Sequence, residues 1–183
     1  MRKATWLAAP VICGVAAIAA GSALAASHEA GVIVKVTDKG STYVINQQET
    51  DTMYFSPATT TVKSGSMLTF EYGGKPSDEP HTMTIVNESQ LPKTPAQIDN
   101  CSICNTLASG HLQDPKAPPG PGNDVAHWVL NKGQPGLDTV GDSIAIEGAK
   151  HRSITVQVTA PPGTTLYFMC AVHPWMQAKL VVT

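Results

Sequence analysis

"YFMCAVHPWMQAKLVV", Tyr167 to Val182, sets a cysteine, a histidine and a methionine within seven positions. An alternating stretch precedes them and a short apolar run follows. With the two-residue period of a strand, Leu166, Phe168 and Cys170 share one face, and Thr165, Tyr167 and Met169 share the other. The Cys170 thiol is therefore expected to point into a core at the end of a strand. His173 and Met176 follow in the next turn, where Pro174 restricts the backbone, and Lys179 to Thr183 reads as a closing strand. A thiolate, an imidazole and a thioether converging from one loop suit copper that cycles between Cu(I) and Cu(II).

The same period recurs outward from this stretch. Val32, Val34 and Val36 alternate with Ile33, Lys35 and Thr37; Leu68, Phe70 and Tyr72 with Met67, Thr69 and Glu71; Ile154, Val156 and Val158 with Ser153, Thr155 and Gln157. Turn signals separate these runs at Asp38-Lys39-Gly40, Ser64-Gly65, Gly73-Gly74-Lys75-Pro76 and Pro161-Pro162-Gly163. Short alternating strands punctuated in this way predict an all-β, antiparallel sandwich.

The middle of the chain differs. Seven of the fourteen prolines lie between Leu91 and Val140, which excludes regular central strands and predicts a long insertion over about 91–140. Thr94 and Gln97 form a capping-box pattern with Pro95 at the first helical position, so a helix is expected there. Asn123 to Gly133 is compatible with a second short helix or an edge strand.

Three ligands call for a fourth. His81 opens "HTMTIV" after Pro80, and His81, Met83 and Ile85 would share the inward face; His127 and His151 are competitors. Two imidazoles and a thiolate in a trigonal plane, with Met176 as a long axial ligand, make a type 1 copper site. Such a site holds both oxidation states with little rearrangement.

Arg2 and Lys3 precede an apolar stretch that ends in Ser22-Ala23-Leu24-Ala25, the pattern of a Sec-type signal peptide over residues 1–25. An uncleaved anchor would need a longer apolar core. Cleavage after Ala25 leaves 158 of the 183 residues, 26–183, enough for one domain and no membrane span in the mature chain. The formal charge of −2 becomes −4 when Arg2 and Lys3 are lost, and no basic run remains to suit nucleic acid. Of the four cysteines, Cys13 leaves with the signal, so one thiol must remain after any pairing in an oxidising periplasm.

These residues resemble a known family. Cys170-x2-His173-x2-Met176 has the short ligand-loop spacing of amicyanin, "YFSPATTTVKSGSMLTFEY", Tyr54 to Tyr72, resembles the strands ahead of the first ligand histidine, and "EPHTMTI" resembles the segment that carries it. The chain is similar to cupredoxins of the plastocyanin and amicyanin group over about 32–86 and 141–183. The resemblance implies a Greek-key β-sandwich, one type 1 copper held by His81, Cys170, His173 and Met176, and outer-sphere electron transfer without a bound substrate. Donor and acceptor would be redox proteins such as a cytochrome c, a dehydrogenase or a terminal oxidase or reductase. His173 would be the partly exposed ligand, with Pro174 and Trp175 in an apolar docking patch. Two departures stand out: Glu71-Tyr72-Gly73 replaces an asparagine that often braces the copper loop, and the 91–140 insertion places Cys170 far from His81.

A copper enzyme would need further histidines, commonly as His-x-His pairs or beside the type 1 cysteine, and Cys170 is flanked by Met169 and Ala171. Cys101-Ser102-Ile103-Cys104 remains, with three readings: a structural disulfide pinning the insertion, a second metal site with His111, or redox exchange. Copper handling, as a chaperone or store, would use these residues. An accessory copper subunit of a membrane oxidase would instead associate through the insertion. A mature start at Ala26-Ser27-His28 would also give His28 a square-planar site for Cu(II) or Ni(II).

Overall fold

The computed structural model describes residues 31–75 and 79–183. The 1–25 signal segment, Cys13 and the Ala26-Ser27-His28 site lie outside the described residues. Among the described residues there are ten strands: β1 Val32–Val44, β2 Gln48–Ser56, β3 Thr59–Val62, β4 Met67–Tyr72, β5 His81–Val86, β6 Val129–Leu130, β7 Ser143–Ile146, β8 Ser153–Gln157, β9 Thr165–Met169 and β10 Gln177–Val182. Two helices, α1 Pro95–Asp99 and α2 Ser102–Ser109, lie between β5 and β6.

The strands form a Greek-key sandwich of two sheets, ordered β2-β1-β4-β8 and β3-β10-β9-β5-β7-β6. The chain crosses between the sheets repeatedly, so β1 runs parallel to β4 and β3 parallel to β10 while the other pairs are antiparallel. Inward residues interdigitate: Phe55 of β2 lies 5.9 Å from Phe70 of β4 and 5.1 Å from Phe168 of β9, joining the sheets. Val34, Val36, Leu68, Phe70, Tyr72, Val156, Leu166, Phe168 and Cys170 all fall in this core, on the faces that alternation predicts.

Asp38-Lys39-Gly40 is not the predicted turn. β1 continues through it to Val44, and its pairing with β2 shifts between Asp38 and Ser41. Gly40 takes φ +75°, and its N–H donates to Asp38 Oδ1, so the glycine accommodates a bulge rather than a reversal.

The insertion folds over the outer face of β5 and β7. All six residues of β5 are buried, although only His81, Met83 and Ile85 were expected to be. Thr94 caps α1 by accepting the Gln97 N–H, with Pro95 in the first turn as expected. Sequence alone did not separate α2, which begins directly after Cys101. Cys101 and Cys104 are joined in a disulfide across its first turn. Val86, Cys104 and Met169 form a second apolar cluster with Leu91, Ile103 and Leu107, which fastens α2 to the sandwich. Of Asn123 to Gly133, only Val129–Leu130 is regular, as an edge strand paired with β7. Where the insertion returns, the buried Asp142 carboxylate accepts the N–H groups of Lys132, Asp138 and Thr139 and ties the loop to the start of β7.

Candidate metal centre

β5 and β9 lie side by side and bring His81 and Cys170 together. His81 is the first residue of β5, and Cys170 follows β9 directly. Cys170 N–H donates to Met176 C=O (3.0 Å) and Met176 N–H to His173 C=O (2.9 Å), closing the 170–176 segment into a tight loop. Gln177 Nε2 donates to the carbonyls of Pro174 and Pro92, fastening that loop to the segment after β5. The ligand atoms of His81, Cys170 and His173 consequently lie within 4.8 Å of one another, all three residues buried. Among the described residues this is the one such cluster found.

Donor chemistry tests what the cluster fits. His81 is 0 % exposed, and neither ring nitrogen has a hydrogen-bond partner. A buried imidazole without a partner is costly, and a metal ion would satisfy it. Burial, reinforced by the neighbouring His173, pushes the His81 pKa down to about 4, which keeps a lone pair available at neutral pH.

His173 is oriented from both sides. Its Nε2 lies 3.1 Å from Glu79 Oε2 and its Nδ1 3.6 Å from the Cys170 sulfur. A neutral ring donates Nε2–H to the carboxylate, which leaves the Nδ1 lone pair facing the sulfur. Burial lowers the His173 pKa, and Glu79 opposes that shift.

Cys170 is the free cysteine among the described residues. Burial raises its thiol pKa, against the backbone N–H groups of Thr82, His173 and Val172 that face it. Without a cation this thiol stays protonated; a soft metal would displace the proton. Two imidazoles and a thiol therefore fit a borderline or soft metal such as copper. Met176 is fully buried in the same core as Cys170.

Bracing of the loop comes from residues that sequence reasoning missed. Thr82 N–H donates to the Cys170 sulfur (3.4 Å), and Thr82 Oγ1 accepts Ala171 N–H (2.8 Å). Tyr72 packs edge-on against His81 with ring centroids 5.5 Å apart, and its hydroxyl donates to Glu79 C=O. Gly73 sits where a Cβ would meet Val36 O at 3.2 Å, so a larger residue is crowded there. The position of Thr82, directly after a candidate ligand, was the available signal.

Other expected residues fall elsewhere. His111 does not join Cys101 and Cys104 in a second site: the cysteines are bonded to each other, and both His111 ring nitrogens are engaged, with His127 C=O and Ser143 Oγ. His151 stacks on Trp128, with ring centroids 3.8 Å apart, so neither it nor His127 enters the cluster. Pro174 is buried and does not contribute to an exposed patch. At 8 % exposure His173 is largely covered, and the apolar groups exposed around it are Val172 (38 %) and Trp175 (39 %).

No family model and no curated protein matches the sequence. Solved structures similar to it include auracyanin A, a "blue" copper protein of Chloroflexus aurantiacus, at 19 % identity and TM-score 0.44, covering 84 % of this chain and 100 % of that one. A purple cupredoxin from Nitrosopumilus maritimus is similar at 10 % identity and TM-score 0.40, over 83 % and 99 % of the two chains. Plastocyanin of the fern Dryopteris crassirhizoma is similar at 15 % identity and TM-score 0.39, over 83 % and 100 %. Two Greek-key sheets, with a histidine at the start of β5 meeting a Cys-x2-His loop at the end of β9, give the chain a cupredoxin-type fold.

Proposed function

We propose that this protein is a periplasmic electron carrier that holds one type 1 copper through His81, Cys170 and His173, with Met176 as the axial ligand. Its mature part would be a single cupredoxin domain over 26–183. The observation that carries this proposal is the His81 ring, fully buried with both nitrogens unpartnered, beside a buried free thiol and the Nδ1 of His173. Bound there, copper would supply a one-electron couple.

The chain's own residues provide what such a carrier needs. The closed 170–176 loop holds Cys170 and His173 in fixed relation, which limits rearrangement between oxidation states. Burial of all three candidate ligands excludes water. His173 lies nearest the exterior, with the exposed Trp175 ring 5.2 Å away, so this edge is where a redox partner would dock, with Val172 and Trp175 as the apolar contacts. The buried Pro174 helps to fix the loop through its carbonyl, which accepts from Gln177 Nε2. Among the described residues no helix is long and apolar enough to cross a membrane. Copper handling through Cys101, Cys104 and His111 finds no support, since these groups are engaged with other partners.

Voltammetry of the mature chain loaded with one equivalent of copper tests the proposal. A reversible one-electron wave that disappears in Cys170→Ser is expected. Copper that binds without such a wave, or a wave indifferent to the substitution, would overturn it.

A further inference from the structure

Outside the candidate ligands, a continuous set of buried polar side chains lies between β5, β7 and the insertion. Thr82, Thr84, Ser143 and His111 are all buried, and they touch in series. Ala171 N–H meets Thr82 Oγ1 at 2.8 Å, Thr82 Oγ1 meets Thr84 Oγ1 at 3.0 Å, Thr84 Oγ1 meets Ser143 Oγ at 2.6 Å, and Ser143 Oγ meets His111 Nε2 at 2.7 Å. The other His111 nitrogen, Nδ1, meets His127 C=O.

The two ends of this series fix its direction. A carbonyl can only accept, so His111 Nδ1 carries the hydrogen. Burial lowers the His111 pKa and favours the neutral ring, whose Nε2 is then an acceptor. Ser143 must donate to it, Thr84 must donate to Ser143, and Thr82 must donate to Thr84. That leaves the Thr82 oxygen to accept, and its partner Ala171 N–H can only donate. Every proton is used once, with no conflict from the backbone amide after Cys170 to the carbonyl of His127.

We propose that His111 is a positioning residue for the Cys170 centre, acting through a one-way relay of the Ser143, Thr84 and Thr82 hydroxyls that holds the Ala171 amide and keeps the Thr82 proton away from the Cys170 sulfur. Thr82 already donates its N–H to that sulfur at 3.4 Å, and with Thr84 no longer accepting, the hydroxyl of the same residue becomes a second donor to it. His111 decides the matter by being the acceptor at the far end. The insertion thus reaches the centre through four side chains and contributes no metal ligand of its own. If the cluster holds copper, as proposed above, the relay sets how many hydrogen bonds the thiolate receives, and these tune a copper–thiolate couple.

His111→Leu removes the terminal acceptor, Ser143→Ala cuts the series, and His111→Gln offers an amide oxygen that can still accept from Ser143. In the metal-free wild type, the imidazole nitrogen NMR shifts should report a neutral ring with the proton on Nδ1. Ala171 amide exchange should quicken about threefold or more in His111→Leu and Ser143→Ala, compared at matched global stability, and stay near wild type in His111→Gln. In the copper-loaded forms the thiolate-to-copper band should move to shorter wavelength and the potential rise in the first two variants, because a freed Thr82 hydroxyl draws electron density from the sulfur. A ring protonated on Nε2 in the wild type would overturn the proposal, and that measurement needs no variant. Faster exchange with band and potential unmoved would also overturn it, reducing His111 to a scaffold residue. If the wild type shows no thiolate band, the copper proposal fails by itself, while the tautomer and Ala171 exchange still decide the relay.

Discussion

His173 stands between Glu79 and Cys170, its Nε2 3.1 Å from the Glu79 carboxylate and its Nδ1 3.6 Å from the thiol. One ring therefore joins a half-exposed acid to a buried sulfur, and the acid selects which nitrogen faces inward. Because the Glu79 side chain is 58 % exposed, its hydrogen bond with the neutral His173 ring contributes little to stability, within about 1 kcal/mol. Its orienting effect is a separate matter. Glu79→Ala should leave the melting temperature nearly unchanged and weaken copper binding about tenfold, as measured by competition against a chelator. Unchanged affinity would mean that the loop alone orients the ring.

The metal-free protein should lose stability in mild acid. The His81 pKa is about 4 in the folded chain against an ordinary 6.5, so the unfolded chain takes up the proton first as pH falls. Stability is therefore full above about pH 6.5 and declines down to about pH 4, by about 3 kcal/mol from this group. Burial lowers the His173 and His111 values too, in the same direction. Urea titrations between pH 4 and pH 7 check this, and a flat profile would contradict the burial of His81 without a partner.

Cys101→Ala with Cys104→Ala separates carrier from copper handler. The disulfide spans the first turn of α2 and packs on Met169 from the side opposite the core. Its loss should cost about 2 kcal/mol, yet leave copper stoichiometry at about one and the spectrum unchanged. Loss of copper transfer to an acceptor in this variant would support handling instead.

Phe168→Ala tests the junction of the sheets. Phe168 is fully buried against Phe55, and the cavity should cost about 3–5 kcal/mol in chemical unfolding. A cost below about 1 kcal/mol would mean that the two sheets do not share this core.

How far the sequence was legible depended on local period and spacing. Leu68, Phe70, Leu166, Phe168 and Cys170 face inward because a strand leaves each side chain only two directions, and burial selects one. The Cys-x2-His loop was legible because two backbone bonds close it locally, and His81 because it opens a run that fits a core strand. Gly40 misled, since a glycine with positive φ serves a bulge as well as a turn. The bracing by Thr82 and Glu79 was hidden because their partners lie about ninety positions away. His111 looked like a ligand because residue type does not reveal which acceptors and donors the fold will place against a ring. Thr82 and Thr84 lie on the other face of β5 from His81, Met83 and Ile85, and both are buried there.

The absorption spectrum of residues 26–183 with one equivalent of Cu(II), beside Cys170→Ser, tests the central claim most directly. An intense thiolate-to-copper band that bleaches reversibly on reduction and is absent from the variant is the expected result. Weak d–d absorption alone, the same in both proteins, would place copper away from His81, Cys170 and His173 and contradict electron transfer at this centre.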